Sequence, residues 1–348
     1  MEDRQDQGTL TPRAWRVGPV PAALLAVLIT AAAPAHSEPS APSEDQTRKD
    51  LRLAYFDTEL EAKGPGLLLR DILKDTAPIR EVRALIEAVD PDILVLAGID
   101  YDAEGRALAA FNAGLARPFP HLFAARPNSG LPTGLDLDGN GRLGEARDAQ
   151  GYGRFSGQGA LALLSRETLG PPRDFSTLLW KDLPDTLLRP TDTGAQVQRL
   201  SSVAHWLIPA GPVTLGIFRA TTPVFDGPDD RNGRRNADEI RFWQLLLAGH
   251  FGTVPKAPVL IGGANLDPDK GDGRRGAIAA LLGDPALQDP TPRSAEGALA
   301  TVDWKDAGPG RMRVDYILPG AGLTVTGAGL ADPVQASRHR LVWVDIAR

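Results

Sequence analysis

Hydrophobic and polar positions change period several times along the chain. Residues 51–56 alternate between charged flanks, which predicts a first strand. Ile79, Val82, Leu85, Ile86 and Val89 then recur at helical spacing, with Pro78 near the start and Pro91 as a stop. Residues 93–96 form a short apolar run beyond that stop, the pattern of a buried strand. Residues 160–165, 202–208, 213–220 and 258–262 also read as strands. A helix is predicted between the last two, capped by Asn236 with Glu239 three residues on as in a capping box, and burying Ile240, Trp243 and Leu247. Residues 314–318, 323–326 and 341–346 complete a strand-rich C-terminal half. Strands alternating with helices predict an α/β class with packed sheets. No linker composition interrupts 51–348, so one domain is expected there. Residues 127–157 are rich in Gly, Asp and Arg without periodicity and are expected to form a long loop insertion.

The N-terminal pattern is different. Arg13 and Arg16 precede an apolar run from Val20 to Ala35, and Ala35 and Ser37 are spaced for signal peptidase. The run is shorter than the ~20 residues a bilayer span needs. Residues 1–37 are therefore read as a cleaved signal peptide and 38–50, with Pro39 and Pro42, as a flexible leader. A periplasmic or secreted protein with no membrane span after processing is expected.

Composition removes several chemistries. With 42% apolar and 24% charged residues the chain is ordinary for a globular protein. It has no cysteine, so disulfides, zinc–thiolate sites and thiol nucleophiles are excluded. No Gly-x-Ser-x-Gly elbow supports acyl transfer. A net charge of -6 excludes a globally basic surface for nucleic acid, but not a local basic pocket.

Four stretches carry a resemblance: Leu-Ala-Tyr-Phe-Asp-Thr-Glu-Leu (53–60), Pro-Asp-Ile-Leu-Val-Leu-Ala-Gly-Ile-Asp (91–100), Ile-Gly-Gly-Ala-Asn-Leu-Asp-Pro (261–268) and Ala-Ser-Arg-His-Arg-Leu-Val-Trp-Val-Asp (336–345). In order and spacing they resemble the motifs of the endonuclease/exonuclease/phosphatase family, and 221–236 is similar to one of its bacterial branches. The resemblance covers essentially all of 51–348. It implies a four-layer αββα sandwich, two mixed β-sheets face to face with helices outside, and hydrolysis of phosphate esters around a divalent cation. It also implies a phosphate-containing small molecule or nucleic acid as partner.

The family positions are only partly kept. Asn265 and His339 match the retained asparagine and catalytic histidine, whereas Asp57 stands where the family has Asn. Gly98 takes the place of the metal-binding Glu, Gly263 that of an Asp, Arg219 that of a phosphate-binding His, and Arg338 that of an Asp assigned to orient the histidine. On this reading Mg²⁺ loses its main anchor at the ancestral site, and a guanidinium beside His339 lowers the basicity of the ring. The substitutions also shift the pocket towards positive charge. Asp57, Arg219 and Arg338 thus become candidate ligand-binding residues of a catalytically degenerate protein, with the two arginines as a phosphate clamp. Against this stands a decayed site in which the arginines pair with Asp57 and other carboxylates. A further alternative is an active metal-dependent phosphodiesterase, nuclease or phosphatase using displaced acids such as Asp100 or Asp102, with Asp267 another acid to place. Asp315, in Arg-Val-Asp-Tyr, is assigned a structural role.

A second motif lies in the long loop. Asp136-Leu-Asp138-Gly139-Asn140-Gly141-Arg142-Leu143 matches the front of a calcium loop, with oxygen ligands at the first, third and fifth positions and glycine at the sixth. Arg147 stands where a bidentate Glu belongs, so Asp148 or Glu145 would have to substitute. Asp136, Asp138, Asn140 and Asp148 are the candidate Ca²⁺ ligands; a tight polar turn explains the same pattern. Arg231, Arg234 and Arg235 are read either as phosphate contacts or as a loop salt-bridged to Asp229, Asp230, Asp238 and Glu239. His205 and Trp206 are placed in the core or at its rim, and His250 at a helix end.

Overall fold

The structure, a computed structural model, describes residues 50–305 and 308–348. The expected signal peptide and the leader up to residue 49 lie outside the described residues. In chain order the elements are β1 (Asp50–Asp57), α1 (Leu67–Leu73), α2 (Ala77–Val89), β2 (Ile93–Ile99), α3 (Arg106–Ala113), β3 (His121–Phe123), β4 (Ala160–Ser165) and β5 (Arg173–Asp174). They continue with β6 (His205–Ala210), β7 (Val213–Arg219), α4 (Arg231–Leu247), β8 (Pro258–Gly263) and α5 (Gly276–Leu282). β9 (Val302–Asp303), β10 (Arg311–Met312), β11 (Asp315–Pro319), β12 (Val325–Leu330) and β13 (Val342–Ala347) close the chain.

One sheet runs β12-β13-β1-β2-β4-β3 and the other β11-β8-β7-β6-β5, with β9 and β10 as a separate pair. Both are mixed: β1 is parallel to β2 and β7 to β8, while the other named pairs are antiparallel. Three apolar clusters define four layers. Leu53, Tyr55, Val95 and Leu163 of one sheet pack on Trp206, Leu215, Ile217 and Ile261 of the other. The opposite face of the first sheet (Ala54, Phe56, Leu94, Leu96) is covered by Ile72 of α1, Val82 and Ile86 of α2 and Phe111 of α3. The outer face of the second sheet (Leu207, Phe218, Leu260, Leu318) is covered by Ile240 and Trp243 of α4 and Leu281 of α5. The α/β sandwich expected from the sequence is therefore present. β2 reads as a continuous apolar run because both of its faces are buried, as parallel strands with covered faces require. Trp243, fully buried against His205 and Phe218, is a keystone of the second outer layer, and its truncation to alanine costs roughly 3–5 kcal/mol.

The α4 boundary differs from the sequence expectation. The helix starts at Arg231, five residues before Asn236, after a 3₁₀ turn at Gly227–Asp229, and no side chain caps it. Asn236 and Glu239 are not capping partners: both are buried inside the helix and tie loops to it. Asn236 Nδ2 donates to the Thr221 and Ala264 carbonyls, both at 2.7 Å. Glu239 accepts from the Ser202 and Thr221 amides at 2.6 and 2.7 Å. Buried polar groups need such partners, and here they displace the local capping geometry.

The topology gathers the ends of strands. Asp57 ends β1 and Gly98 lies near the end of β2, whose register shifts between Ala97 and Ile99. In the other sheet Arg219 ends β7 opposite Gly263, and Gly263 ends β8 opposite Asp315.

Candidate functional site

Asp57 is 2% exposed, and its Oδ2 lies 2.8 Å from Arg219 Nη2. Burial raises the carboxyl's pKa, but the Arg219 and His339 charges and the Glu59 amide together outweigh this and hold it below the usual aspartate range. Arg219 Nη1 also donates to the Gly159 carbonyl at 3.3 Å. The arginine is thus locked between a carboxylate at the end of one sheet and a carbonyl next to β4.

Gly98 has φ +65°, a conformation glycine adopts without strain. A Cβ there would come within 2.6 Å of Asp57 Oδ1, 2.8 Å of the Glu59 amide nitrogen and 3.0 Å of Glu61 Oε2. Neighbouring groups have therefore taken the volume through which an acid at this position would reach the site. Glu61 Oε2 is buried without a hydrogen-bond partner among the described residues. Burial pushes the Glu61 carboxyl up; Arg219 opposes this, and Asp57 and Glu59 reinforce it. Sequence reasoning passed over Glu59 and Glu61, although Asp57, Glu59 and Glu61 alternate along the chain and that spacing was the available signal.

Gly263 behaves similarly. A Cβ there would lie 2.7 Å from the Tyr55 hydroxyl and 3.4 Å from Asp315 Oδ1, two buried atoms without hydrogen-bond partners among the described residues. Burial raises the Tyr55 phenol well above its usual value, so it stays neutral.

His339 does have an orienting carboxylate, contrary to the sequence expectation. Its Nδ1 donates to Asp315 Oδ2 at 2.7 Å, and both side chains are buried. Asp315, expected to be merely structural, is that partner, reached because β11 and the segment before β13 converge at the end of β8. Nor is the ring made less basic. Burial opposes protonation, but Asp315 and Asp57, with Glu59, prevail and the pKa is pushed up to about 9. The imidazole is therefore a cation at neutral pH. Arg338 does not depress it, because its guanidinium turns to Glu59: Nε lies 2.9 Å from Oε1, and the Arg338 amide donates to Oε2 at 2.7 Å. The two arginines are consequently each neutralised by a different carboxylate, Arg219 by Asp57 and Arg338 by Glu59.

Asn265 sits just beyond β8 at φ +51°, and its Nδ2 donates to the Ala220 carbonyl at 2.7 Å, joining the ends of β7 and β8. Other candidate acids are engaged with backbone. Asp100 accepts from the Ala62 and Gly159 amides at 2.9 and 3.1 Å. Asp102 accepts from the Arg106 and Ala107 amides at the start of α3. Asp267 accepts from the Asp269 and Arg313 amides. A divalent cation at the ancestral place does not fit these residues as they stand, since a guanidinium already contacts Asp57 and Gly98 offers no ligand.

The loop at 127–157 closes on itself through bridges Ser129↔Gly151 and Pro132↔Ala149 and a 3₁₀ turn at Ala146–Asp148. Asp136, Asp138 and Asp148 each offer an oxygen, and these atoms lie within 4.8 Å of one another, forming an acidic triad. Asp136 accepts from the Gly139, Asn140 and Gly141 amides. Buried Asp148 accepts from the Leu137 and Glu145 amides. Asn140 Nδ2 donates to Glu145 Oε2 at 2.7 Å and to Asp138 Oδ2 at 3.2 Å.

The three arginines near 231 belong to the first turns of α4 and face the protein. Arg234 forms a buried pair with Asp192 at 2.7 Å, and Arg235 donates to the Arg199, Leu200 and Ser201 carbonyls. Arg231 donates to the Thr193 carbonyl. His205 is core: burial lowers its pKa to about 4, and Nε2 donates to the Glu239 carbonyl.

The profile of the Endonuclease/Exonuclease/phosphatase family matches residues 66–339. No curated protein matches the chain. Among solved structures, an endonuclease/exonuclease/phosphatase from Beutenbergia cavernae DSM 12333 superposes with TM-score 0.53 at 17% identity, covering 86% of this chain and 72% of its own. A 3'-5' exonuclease from Neisseria Meningitidis gives 0.51 at 16%, covering 86% of this chain and 100% of its own. Sphingomyelinase C from Streptomyces griseocarneus gives 0.50 at 15%, covering 86% and 99%. At such identities the superpositions carry the fold and not a substrate. Motif order, topology and the span of the profile together place this chain in the endonuclease/exonuclease/phosphatase family.

Proposed function

We propose that this protein is an exported family member that binds a phosphate-containing ligand at the Asp57–Arg219–His339 site and does not hydrolyse it by the family's metal-dependent route. The observation that carries the reading is the Arg219–Asp57 ion pair at 2.8 Å beside Gly98. A fixed guanidinium stands where a cation would meet the first-strand acid, so charge at a phosphoryl group would meet N–H donors instead of a metal. The guanidinium keeps donors beyond those given to Asp57 and Gly159, and a protonated His339 adds another. The export part rests on the N-terminal pattern of basic, apolar and small residues.

The test is hydrolysis of bis-p-nitrophenyl phosphate and plasmid DNA with Mg²⁺, Mn²⁺ or Ca²⁺, with His339→Ala as control. Silence with every metal is expected, together with thermal stabilisation by nucleotides. Metal-dependent turnover abolished in the control would overturn the reading. A second reading is favoured by the unpartnered Glu61 Oε2: Glu61 and Asp57 would hold a divalent cation once Arg219 swings away. That reading requires turnover to vanish in Glu61→Gln. For the 136–148 loop, Ca²⁺ is the proposed ion, on ligand spacing and the acidic triad, with affinity in the roughly 10⁻⁴–10⁻³ M class of extracellular modules. Absence of calorimetric heat at millimolar Ca²⁺ removes it.

A further inference from the structure

The chain holds two Asn-Gly pairs, Asn140-Gly141 and Asn232-Gly233. Asparagine before glycine is prone to lose its side-chain amide, because glycine leaves the next backbone nitrogen unshielded and free to turn towards the asparagine Cγ. The fold treats the two pairs differently. Asn232 and Gly233 lie in the first turn of α4, where the helix fixes the backbone and Asn232 Nδ2 donates to the Val224 carbonyl at 2.9 Å. Asn140 and Gly141 are exposed in the 127–157 loop. Gly141 has φ +83°, and the space that a Cβ would take there is open.

At Asn140 each group whose charge changes in that reaction already has a partner. The nucleophile is the Gly141 nitrogen, whose N–H donates to Asp136 Oδ2 at 2.7 Å. A carboxylate so placed can take the proton as the nitrogen attacks. The oxygen that gains negative charge is Asn140 Oδ1, which accepts from the Arg142 amide at 2.9 Å. A donor fixed at the oxygen where charge develops favours the addition step. The leaving nitrogen, Asn140 Nδ2, donates to Glu145 Oε2 at 2.7 Å and to Asp138 Oδ2 at 3.2 Å, so carboxylates stand beside it to relay the returning proton. Asp136 is itself held in place, accepting also from the Gly139 and Asn140 amides at 2.8 and 3.1 Å.

We infer that Asn140 is a self-modifying site, at which the folded loop promotes its own deamidation and turns a neutral amide into a carboxylate. The Gly141 nitrogen bonds to Asn140 Cγ and its proton passes to Asp136. The Cγ–Nδ2 bond breaks, and Nδ2 takes that proton back and departs as ammonia, leaving a cyclic imide. Water then opens the imide at either carbonyl, giving aspartate or isoaspartate at position 140. Nothing is oxidised or reduced, and the loop gains a negative charge beside Asp136, Asp138 and Asp148. The reaction needs neither a cation in the loop nor a ligand at the Asp57 site.

The experiment incubates the folded protein at neutral pH with a chelator and follows both Asn-Gly pairs by peptide mass spectrometry with isoaspartate detection, in buffer and in urea. In buffer Asn140 is expected to convert while Asn232 stays intact. In urea the two pairs should react at similar rates, and Asn140 more slowly than in the folded protein. Asp136→Asn should slow the folded-state reaction by at least about tenfold, as loss of a positioned base does. The urea comparison needs no variant and decides the matter if Asp136→Asn disorders the loop. An intact Asn140 in the folded protein overturns the inference. So does a rate in urea equal to or above the folded rate, which would assign the reaction to the Asn-Gly sequence alone, or a folded-state rate indifferent to Asp136→Asn.

Discussion

Two acid-rich regions of this molecule handle negative charge in opposite ways. In the 136–148 loop, carboxylates accept backbone amides from their own neighbourhood: Asp136 from residues 139–141 and Asp148 from residues 137 and 145. At the strand ends, carboxylates meet cations delivered from distant sequence: Asp57 meets Arg219, Glu59 meets Arg338 and Asp315 meets His339. Local amides bend the chain and leave carboxylate oxygens facing each other, as a cation loop requires. Distant counter-charges close a site and fix its protonation states. The first arrangement can acquire an ion without rearranging the fold, whereas the second has to lose an arginine contact first.

The comparison breaks most visibly at the Asp57 pair. Arg219→Ala leaves a buried carboxylate unpaired, and removal of one partner of a buried pair costs roughly 3–5 kcal/mol, the lower figure being apt here because the Arg219 side chain retains 20% exposure. Urea denaturation of the two proteins measures it. The double variant Asp57→Asn, Arg219→Met should recover most of the loss, since no charge remains to be desolvated. A single variant as stable as the parent would mean that water already screens the pair.

The Asp315–His339 pair is sharpened by pH. The histidine's folded pKa, about 9, lies above its unfolded value of 6.5. Its contribution is therefore fully present below about pH 6.5 and is lost as pH rises through 9, on the order of 1–3 kcal/mol in all. Urea midpoints at pH 6, 8 and 10 should fall for the parent. The fall should largely vanish in His339→Gln, and NMR titration of Asp315→Asn should place the ring pKa clearly below 9. A titration unchanged in Asp315→Asn would assign the shift to Asp57 and Glu59 instead.

These distances in sequence also decide what could be read in advance. The sandwich was legible because β1, β2, β4 and α2 announce themselves by local period, and five motifs in order fix the family. The Asp136 turn was legible because its partners lie within the motif itself. The Arg338 clamp was not realised because nothing local reveals that Glu59, at the other end of the chain, receives its guanidinium. In the sequence His339 lacks an orienting acid because its neighbour is Arg338; its partner, Asp315, is brought from afar by the pairing of β11 with β8. The start of α4 was misplaced since Asn236 and Glu239 look like a local cap while serving loops at 202, 221 and 264.

The smallest expected effect tests the comparison where it is most delicate, at Glu61. Its carboxyl is held up by burial, so the folded state disfavours the charged form, and at neutral pH this group detracts from stability. Unlike Asp57, it has an oxygen without a hydrogen-bond partner among the described residues. Glu61→Gln should therefore stabilise the protein at pH 7 by less than about 1 kcal/mol, with the gain shrinking as pH falls towards 4.5, where the parent takes up its own proton. Thermal melts at pH 7 and pH 4.5 measure both values. A clear destabilisation at pH 7 would mean that Glu61 is an active partner of Arg219 rather than a carboxylate left over beside Gly98. The strand-end site would then hold its guanidinium between two acids and be still less able to release it for a metal.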